Sequence, residues 1–236
     1  VSTSKLIDGK AAAARVLAQV KSDVQDLKKA GIEPALAVIL VGQDPASQVY
    51  VRNKILRAEE AGIRSLEYRL GADTTQAQLL NLITELNEDE SINGILLQLP
   101  LPAHIEETCA LQAIAPDKDV DGFHSENVGG LSQGRNVLTP CTPSGCLQLL
   151  EDACGDLSGK HAVVVGRSNI VGKPMAALLL KAHCSGCPGL VPPGRHRGRR
   201  RRPPATDRCQ LAQARRGGDR RRYQPHRRRR AQPPGR

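Results

Sequence analysis

The chain has no tryptophan, one phenylalanine and three tyrosines in 236 residues, so its core must be built from aliphatic side chains. No apolar run approaches the ~20 residues that a helix needs to cross a bilayer, which argues against a helical membrane protein. The N-terminus, Val1-Ser2-Thr3-Ser4-Lys5, has no apolar signal region and moves straight into an amphipathic stretch, so a cytoplasmic protein is expected. Seven cysteines, an odd number without framework spacing, suit reduced thiols better than disulfides. Cys184 and Cys187 form a CxxC with no second pair, and neither a zinc nor a redox site is expected there.

Acidic residues and core-forming residues both run out near residue 185. Residues 186–236 hold 17 Arg and 2 Asp, a net of +15, whereas the whole chain is +10. That leaves −5 for residues 1–185, so the basic balance belongs to the tail and the body is mildly acidic. Four-arginine runs at Arg199–Arg202 and Arg227–Arg230, set among Gly, Pro and Gln, predict a disordered basic tail. Two origins fit it. One is a nucleic-acid-binding arm, because clustered Arg attracts phosphate backbones. The other is a shifted reading frame in GC-rich DNA, which the change in mid-domain favours; coding DNA that confirms the tail would overturn it.

The body reads as α/β. Asp8 caps a helix over 9–30, with Val16, Leu17, Val20, Val24 and Leu27 on one face and Gly31 as the stop. The continuous apolar run Ala35–Val41 has the character of a parallel strand buried on both faces. Pro45 opens a helix to about Ala61, and a strand follows over 63–70. Thr74 or Thr75 caps a helix to about Asn87, and Gly94–Leu99 is a second buried strand. A short helix covers 105–114, and Pro116–Pro140 is loop-rich. Pro143 opens another helix to about Ala153. A strand at His161–Val165, a turn at Gly166–Gly172 and a helix at Pro174–Ala182 complete the body. The alternation argues for a largely parallel sheet. A first domain is expected over 1–140 and the start of a second over 141–185, with the tail at 186–236.

Certain polar residues stand out against this frame. Tyr50 and Lys54 lie four apart and share a helix face, with Ser47 on the same stripe. A surface Tyr laid along a Lys stem explains that spacing equally well. Gln98 sits in an apolar strand before Pro100-Leu101-Pro102 and needs partners, which loop backbone can supply. The run Asp117-Lys118-Asp119-Val120-Asp121-Gly122 is either a solvated acidic turn or a ligand set. It lacks the distal Glu of a calcium loop, so no metal is expected. In a parallel sheet, Lys54, Gln98 and Asp121 can meet at one cleft by the strand ends. A lysine acts as a base only when it gives up its proton far below the usual ~10.4. A neutral Gln beside it helps, and a close carboxylate opposes. Asp121 is therefore better cast as an anchor for a donor-rich heterocycle, and Tyr50 as an aromatic face for a flat ring.

These segments resemble the bifunctional methylenetetrahydrofolate dehydrogenase/methenyltetrahydrofolate cyclohydrolase family. The resemblance is carried by Tyr50-Val51-Arg52-Asn53-Lys54, Gln98-Leu99-Pro100-Leu101-Pro102, Pro116 to Phe123, Leu138-Thr139-Pro140-Cys141-Thr142-Pro143-Ser144-Gly145, and Gly166-Arg167-Ser168-Asn169-Ile170-Val171-Gly172-Lys173-Pro174. It covers about Lys5 to Cys184. It implies a folate-binding catalytic domain followed by a Rossmann-like domain that is incomplete here. It further implies Lys54 as the catalytic lysine, Gln98 tuning it, Asp121 holding the pterin, and Tyr50 and Pro100 lining the substrate site. The implied reaction is oxidation of 5,10-methylenetetrahydrofolate with NADP, then hydrolysis of the methenyl product to 10-formyltetrahydrofolate. A homodimer is also implied.

The strand–turn–helix at 161–182 suits a nucleotide. Gly166 lets the chain turn, Arg167 favours a 2′-phosphate and hence NADP over NAD, and Ser168 offers a hydroxyl. Gly172 allows close approach, and a helix N-terminus presents N–H groups to a pyrophosphate. The GxGxxG fingerprint is absent, because Ser168 and Val171 occupy its second and third glycine positions. A turn used for packing alone is the alternative. Two functions therefore stand side by side: a folate-interconverting enzyme, and a non-enzymatic folate-cleft remnant with an Arg-rich RNA-binding arm.

Overall fold

A computed structural model describes residues 6–185. The tail, both four-arginine runs and Cys187 lie outside the described residues. Helix α1 (Gly9–Lys29) begins where the Asp8 carboxylate accepts from the N–H groups of Lys10 and Ala11. Strand β1 (Ala35–Val41) is followed by α2 (Pro45–Glu60), whose first turn is fixed by Asp44 accepting from the Ser47 N–H. Strand β2 (Arg64–Leu70) leads to α3 (Gln76–Glu88), closed at its start by a reciprocal cap between Thr75 and Gln78. Strand β3 (Gly94–Leu97) and α4 (Glu107–Ala113) follow.

The sheet order is β2-β1-β3, and both pairings are parallel. β1 is central, and its alternate residues feed opposite faces. Ala35, Ala37, Ile39 and Val41 pack with Leu79, Ile83 and Leu86 of α3 and Ala110 of α4. Val38 and Leu40 pack with Val51 of α2 and Leu96 of β3. Layers on both faces explain why an unbroken apolar run was needed.

Past this sheet the chain departs from expectation in two places. The loop-rich stretch 116–140 contains a helix, α5 (Ser125–Ser132), whose start is held by His124 Nδ1 accepting from the Glu126 N–H. Helices α6 (Cys141–Cys154) and α7 (Gly172–Lys181) form as expected. The expected strand at 161–165 is not a regular strand among the described residues. It makes an isolated parallel bridge, His161 with Ser185. The reason is a shortage of neighbours: a parallel strand is defined by its ladder, and here the ladder has one described rung. Ala162 and Val164 pack onto Leu150, Leu157, Met175 and Leu179, whereas Val163 and Val165 are 55% and 51% exposed. Cys109, Cys141 and Cys146 are free thiols, as expected.

Candidate active site and nucleotide turn

The end of β3 and the middle of α2 bring two of the sequence candidates into contact. Lys54, half-buried on α2, donates from Nζ to Gln98 Oε1 at 3.4 Å. Gln98 lies one residue past β3, and its N–H still donates to Ile39 O at 2.9 Å, so β1 fixes its backbone. Its Nε2 donates to the Leu99 carbonyl at 2.6 Å. An amide has one acceptor end and one donor end. With the donor end used by loop backbone, Oε1 must face Lys54. The bland reading of Gln98 and the functional one thus describe opposite ends of the same side chain. Pro100 is exposed, and the Leu99–Pro100 peptide bond is cis. Tyr50 sits one turn before Lys54 on α2 and is 46% exposed.

Asp121 reaches the same place from a loop that runs beside β3. The Ile95 N–H donates to Lys118 O at 2.7 Å, and Ile95 and Asp119 form a parallel bridge. Burial pushes the Asp121 carboxyl above the ordinary carboxylate range. The Lys54 ammonium opposes that shift, and Asp119 reinforces it. Lys54 is therefore close enough to act on Asp121 while its hydrogen bond goes to Gln98. Gly122, at φ 65°, ends the loop against the linker to α6, where a Cβ would stand 2.8 Å from Leu138 O. No side chain other than glycine's fits that approach.

The acidic run divides its labour in a way that the sequence does not reveal. Lys118 turns away from the cleft and donates from Nζ to the carbonyls of Leu86, Asn87 and Asp89 at 3.1, 2.7 and 2.9 Å, closing the C-terminal end of α3. Asp119 is buried. Asp121 is the member of the run that feels the charge of the Lys54 ammonium. Backbone carbonyls as partners leave no mark in a sequence, so no signal there could have singled out Lys118.

At the second site, the turn from Gly166 to Gly172 is tight. A Cβ on Gly172 would lie 2.6 Å from Gly166 O, so the glycine is required by the approach of the two backbones. The helix N-terminus differs from expectation. Its N–H groups are not open: Ser168 Oγ accepts from Val171 and Gly172 at 3.2 Å each, Ser168 O accepts from Lys173 at 3.0 Å, and Pro174 has no N–H. What remains to meet an anion is the Ser168 O–H, which can still donate, and the cations of exposed Arg167 and Lys173. Lys173 Nζ also donates to Asn169 Oδ1 at 2.6 Å. These residues fit the pyrophosphate end of a dinucleotide. Among the described residues there is no helix long and apolar enough to cross a membrane.

Comparison with known proteins matches this geometry in two pieces. The family model "Tetrahydrofolate dehydrogenase/cyclohydrolase, catalytic domain" matches residues 7–121, and its companion, "Tetrahydrofolate dehydrogenase/cyclohydrolase, NAD(P)-binding domain", matches residues 140–187. Bifunctional protein FolD 2 of Pseudomonas savastanoi pv. phaseolicola is 79% identical over 183 residues, 78% of this chain and 61% of the relative. Bifunctional protein FolD 1 of Acinetobacter baylyi is 65% identical over 182 residues, 77% of this chain and 61% of the relative. The chain thus spans about three-fifths of the length of these curated relatives. Among solved structures, the bifunctional methylenetetrahydrofolate dehydrogenase/cyclohydrolase FolD of Campylobacter jejuni superposes with a TM-score of 0.78. It is 48% identical, and the match covers 82% of this chain and 68% of that one. The Trypanosoma brucei enzyme, solved with NADP cofactor and inhibitor, gives 0.77 at 35% identity, covering 83% and 67%. An NAD-dependent relative from Saccharomyces cerevisiae gives 0.64 at 26% identity, covering 75% and 61%. With its catalytic-domain match, its partial NAD(P)-binding match and its parallel α/β fold, the chain belongs to the tetrahydrofolate dehydrogenase/cyclohydrolase family.

Proposed function

We propose that the first domain binds reduced folates and carries the chemistry that converts 5,10-methylenetetrahydrofolate to 10-formyltetrahydrofolate by way of the methenyl cation. The observation that carries this reading is the Lys54–Gln98 contact at 3.4 Å, with the charge of the same ammonium acting on Asp121. Asp121 accepts hydrogen bonds from the donor edge of the pterin. Tyr50 and Pro100 bound the flat ring. Gln98 aims Lys54 Nζ, and Lys54 handles the proton of the water that attacks the electrophilic methenyl carbon. A nicotinamide dinucleotide bound at Gly166–Lys173 supplies the hydride acceptor. Arg167 and Ser168 hold its phosphate end. An exposed arginine beside the turn supports NADP over NAD. Homodimer assembly belongs to the same reading and rests on the family resemblance, and a cytoplasmic location is proposed beside it from the sequence.

The test uses a step that needs no dinucleotide. Hydrolysis of 5,10-methenyltetrahydrofolate by the purified chain is expected, with Lys54→Ala lowering it about a hundredfold or more. Hydrolysis no faster in the chain than in its Lys54→Ala variant, together with salt-sensitive RNA binding lost on removing residues 186–236, would favour the remnant-plus-arm alternative.

A further inference from the structure

The loop that carries Asp121 holds a second carboxylate that the proposed chemistry leaves without a role. Asp119 is 1% exposed. Its Oδ2 accepts from the His124 N–H at 2.8 Å and from Asn127 Nδ2 at 3.0 Å. Neither donor is charged. A carboxylate withdrawn from water with only neutral partners is costly to keep, so its presence calls for a reason.

The reason lies in what the bonds hold. Asn127, on the buried side of α5, also donates Nδ2 to Pro116 O at 2.7 Å, so one amide grips both ends of the run 116–119. The Ile95–Asp119 bridge lays that run alongside β3. Gln98 stands three residues beyond Ile95, and Asp121 two beyond Asp119. Both therefore leave the same end of the sheet. Asp121 itself has no hydrogen-bond partner among the described residues, so no hydrogen bond at its own carboxylate fixes its place. Its position is inherited from the residues before it.

We propose that the buried Asp119–Asn127 pair is a positioning unit for Asp121, setting that carboxylate against Lys54 and thereby deciding how well the cleft reads the donor edge of a pterin. The inference rests on the folate reading above. It makes Asp119 and Asn127 positioning residues, since neither touches the ligand.

Two variants of the full chain test it. Asp119→Ala removes the one oxygen, Oδ2, that accepts from both the His124 N–H and Asn127 Nδ2. Asn127→Ala removes the donor from α5 and leaves the cleft untouched. The readout is a ratio of dissociation constants, for tetrahydrofolate and for its 2-desamino-2-methyl analogue, which lacks the amino donor that Asp121 would bind. Asp121→Asn sets the floor of that ratio. Both positioning variants are expected to move about tenfold towards the floor, the scale of one hydrogen bond to a charged group. A purely structural role would lower the melting temperature and leave the ratio unchanged. An unchanged ratio in the folded variants overturns the inference, and Asn127→Ala decides alone if Asp119→Ala does not fold. A wild-type chain with no preference between the two ligands would instead sink the folate reading itself.

Discussion

Two apolar runs in this molecule meet different fates. Ala35–Val41 becomes a regular strand with a partner on each side, and Ile39 at its centre is wholly buried. His161–Val165 has the same alternation, with Ala162 and Val164 facing helices, yet it makes one bridge and leaves Val163 and Val165 half in solvent. The difference lies outside the runs themselves. A strand of a parallel sheet is made by its neighbours, and the second run has a single described bridge to the chain that returns after α7. The return itself is in place: Ser185 pairs with His161, and its hydroxyl donates to Gly159 O at 2.6 Å. The second region holds the opening of a β-α-β crossover, and the first holds a finished sheet.

The contrast can be broken most directly by mutation in the two runs. Ile39→Ala should cost about 3 kcal/mol, because it leaves a cavity in a core layered on both faces. Val163→Ala should cost less than about 0.5 kcal/mol, as an exposed position does. Urea unfolding of both variants checks this, and equal losses would mean that the second region is as closed as the first. A smaller effect is expected at the stitching of the first domain. Lys118→Met keeps the side-chain stem and removes three donations to the end of α3, and about 2 kcal/mol should go with them. No change in the unfolding midpoint would show that solvent replaces those bonds without loss.

The smallest expected effect concerns Asp121, and its sign runs opposite to the others. Burial raises its pKa, Lys54 opposes and Asp119 adds to the rise. A carboxyl raised on folding holds its proton more tightly in the folded chain. Stability is therefore full below the unfolded value of about 3.9 and falls as pH climbs through the raised folded value. Asp121→Asn escapes that loss. It should melt slightly higher than the wild type at neutral pH, with the gap closing below about pH 4, even though folate binding is expected to suffer. Melting curves across pH check this, and a variant less stable at neutral pH would show that Lys54 gains more from the carboxylate than burial costs.

Much of the first domain was legible. The bounds of β1, the Asp8 and Thr75 caps and Pro45 at the start of α2 were all marked by local chemistry. Helix α5 was not, because Gly129-Gly130 argues against a helix and its formation depends on burying Asn127 and Leu131. The contact between Lys54 and Gln98 followed from setting a covering helix and a strand end of a parallel sheet at one cleft, but the division of the acidic run did not. Whether Lys118, Asp119 or Asp121 points at the cleft depends on the ends of α3 and α5, which approach only in the folded chain. The closed N–H groups at the start of α7 escaped for a similar reason: Ser168 could serve a ligand or its own helix, and its spacing allowed both.

The three-carbonyl grip of Lys118 has a consequence for anyone who would move this cleft to another scaffold. The loop bearing Asp121 is the obvious segment to cut out and graft. Here its lysine is seated in the last turn of α3, and Asn87 of that helix bonds the chain on the loop's other flank, donating to Ala113 O and accepting from the Ala115 N–H. The transferable module is therefore a helix end together with a loop, and a graft of the loop alone would arrive without the anchor that gives it shape.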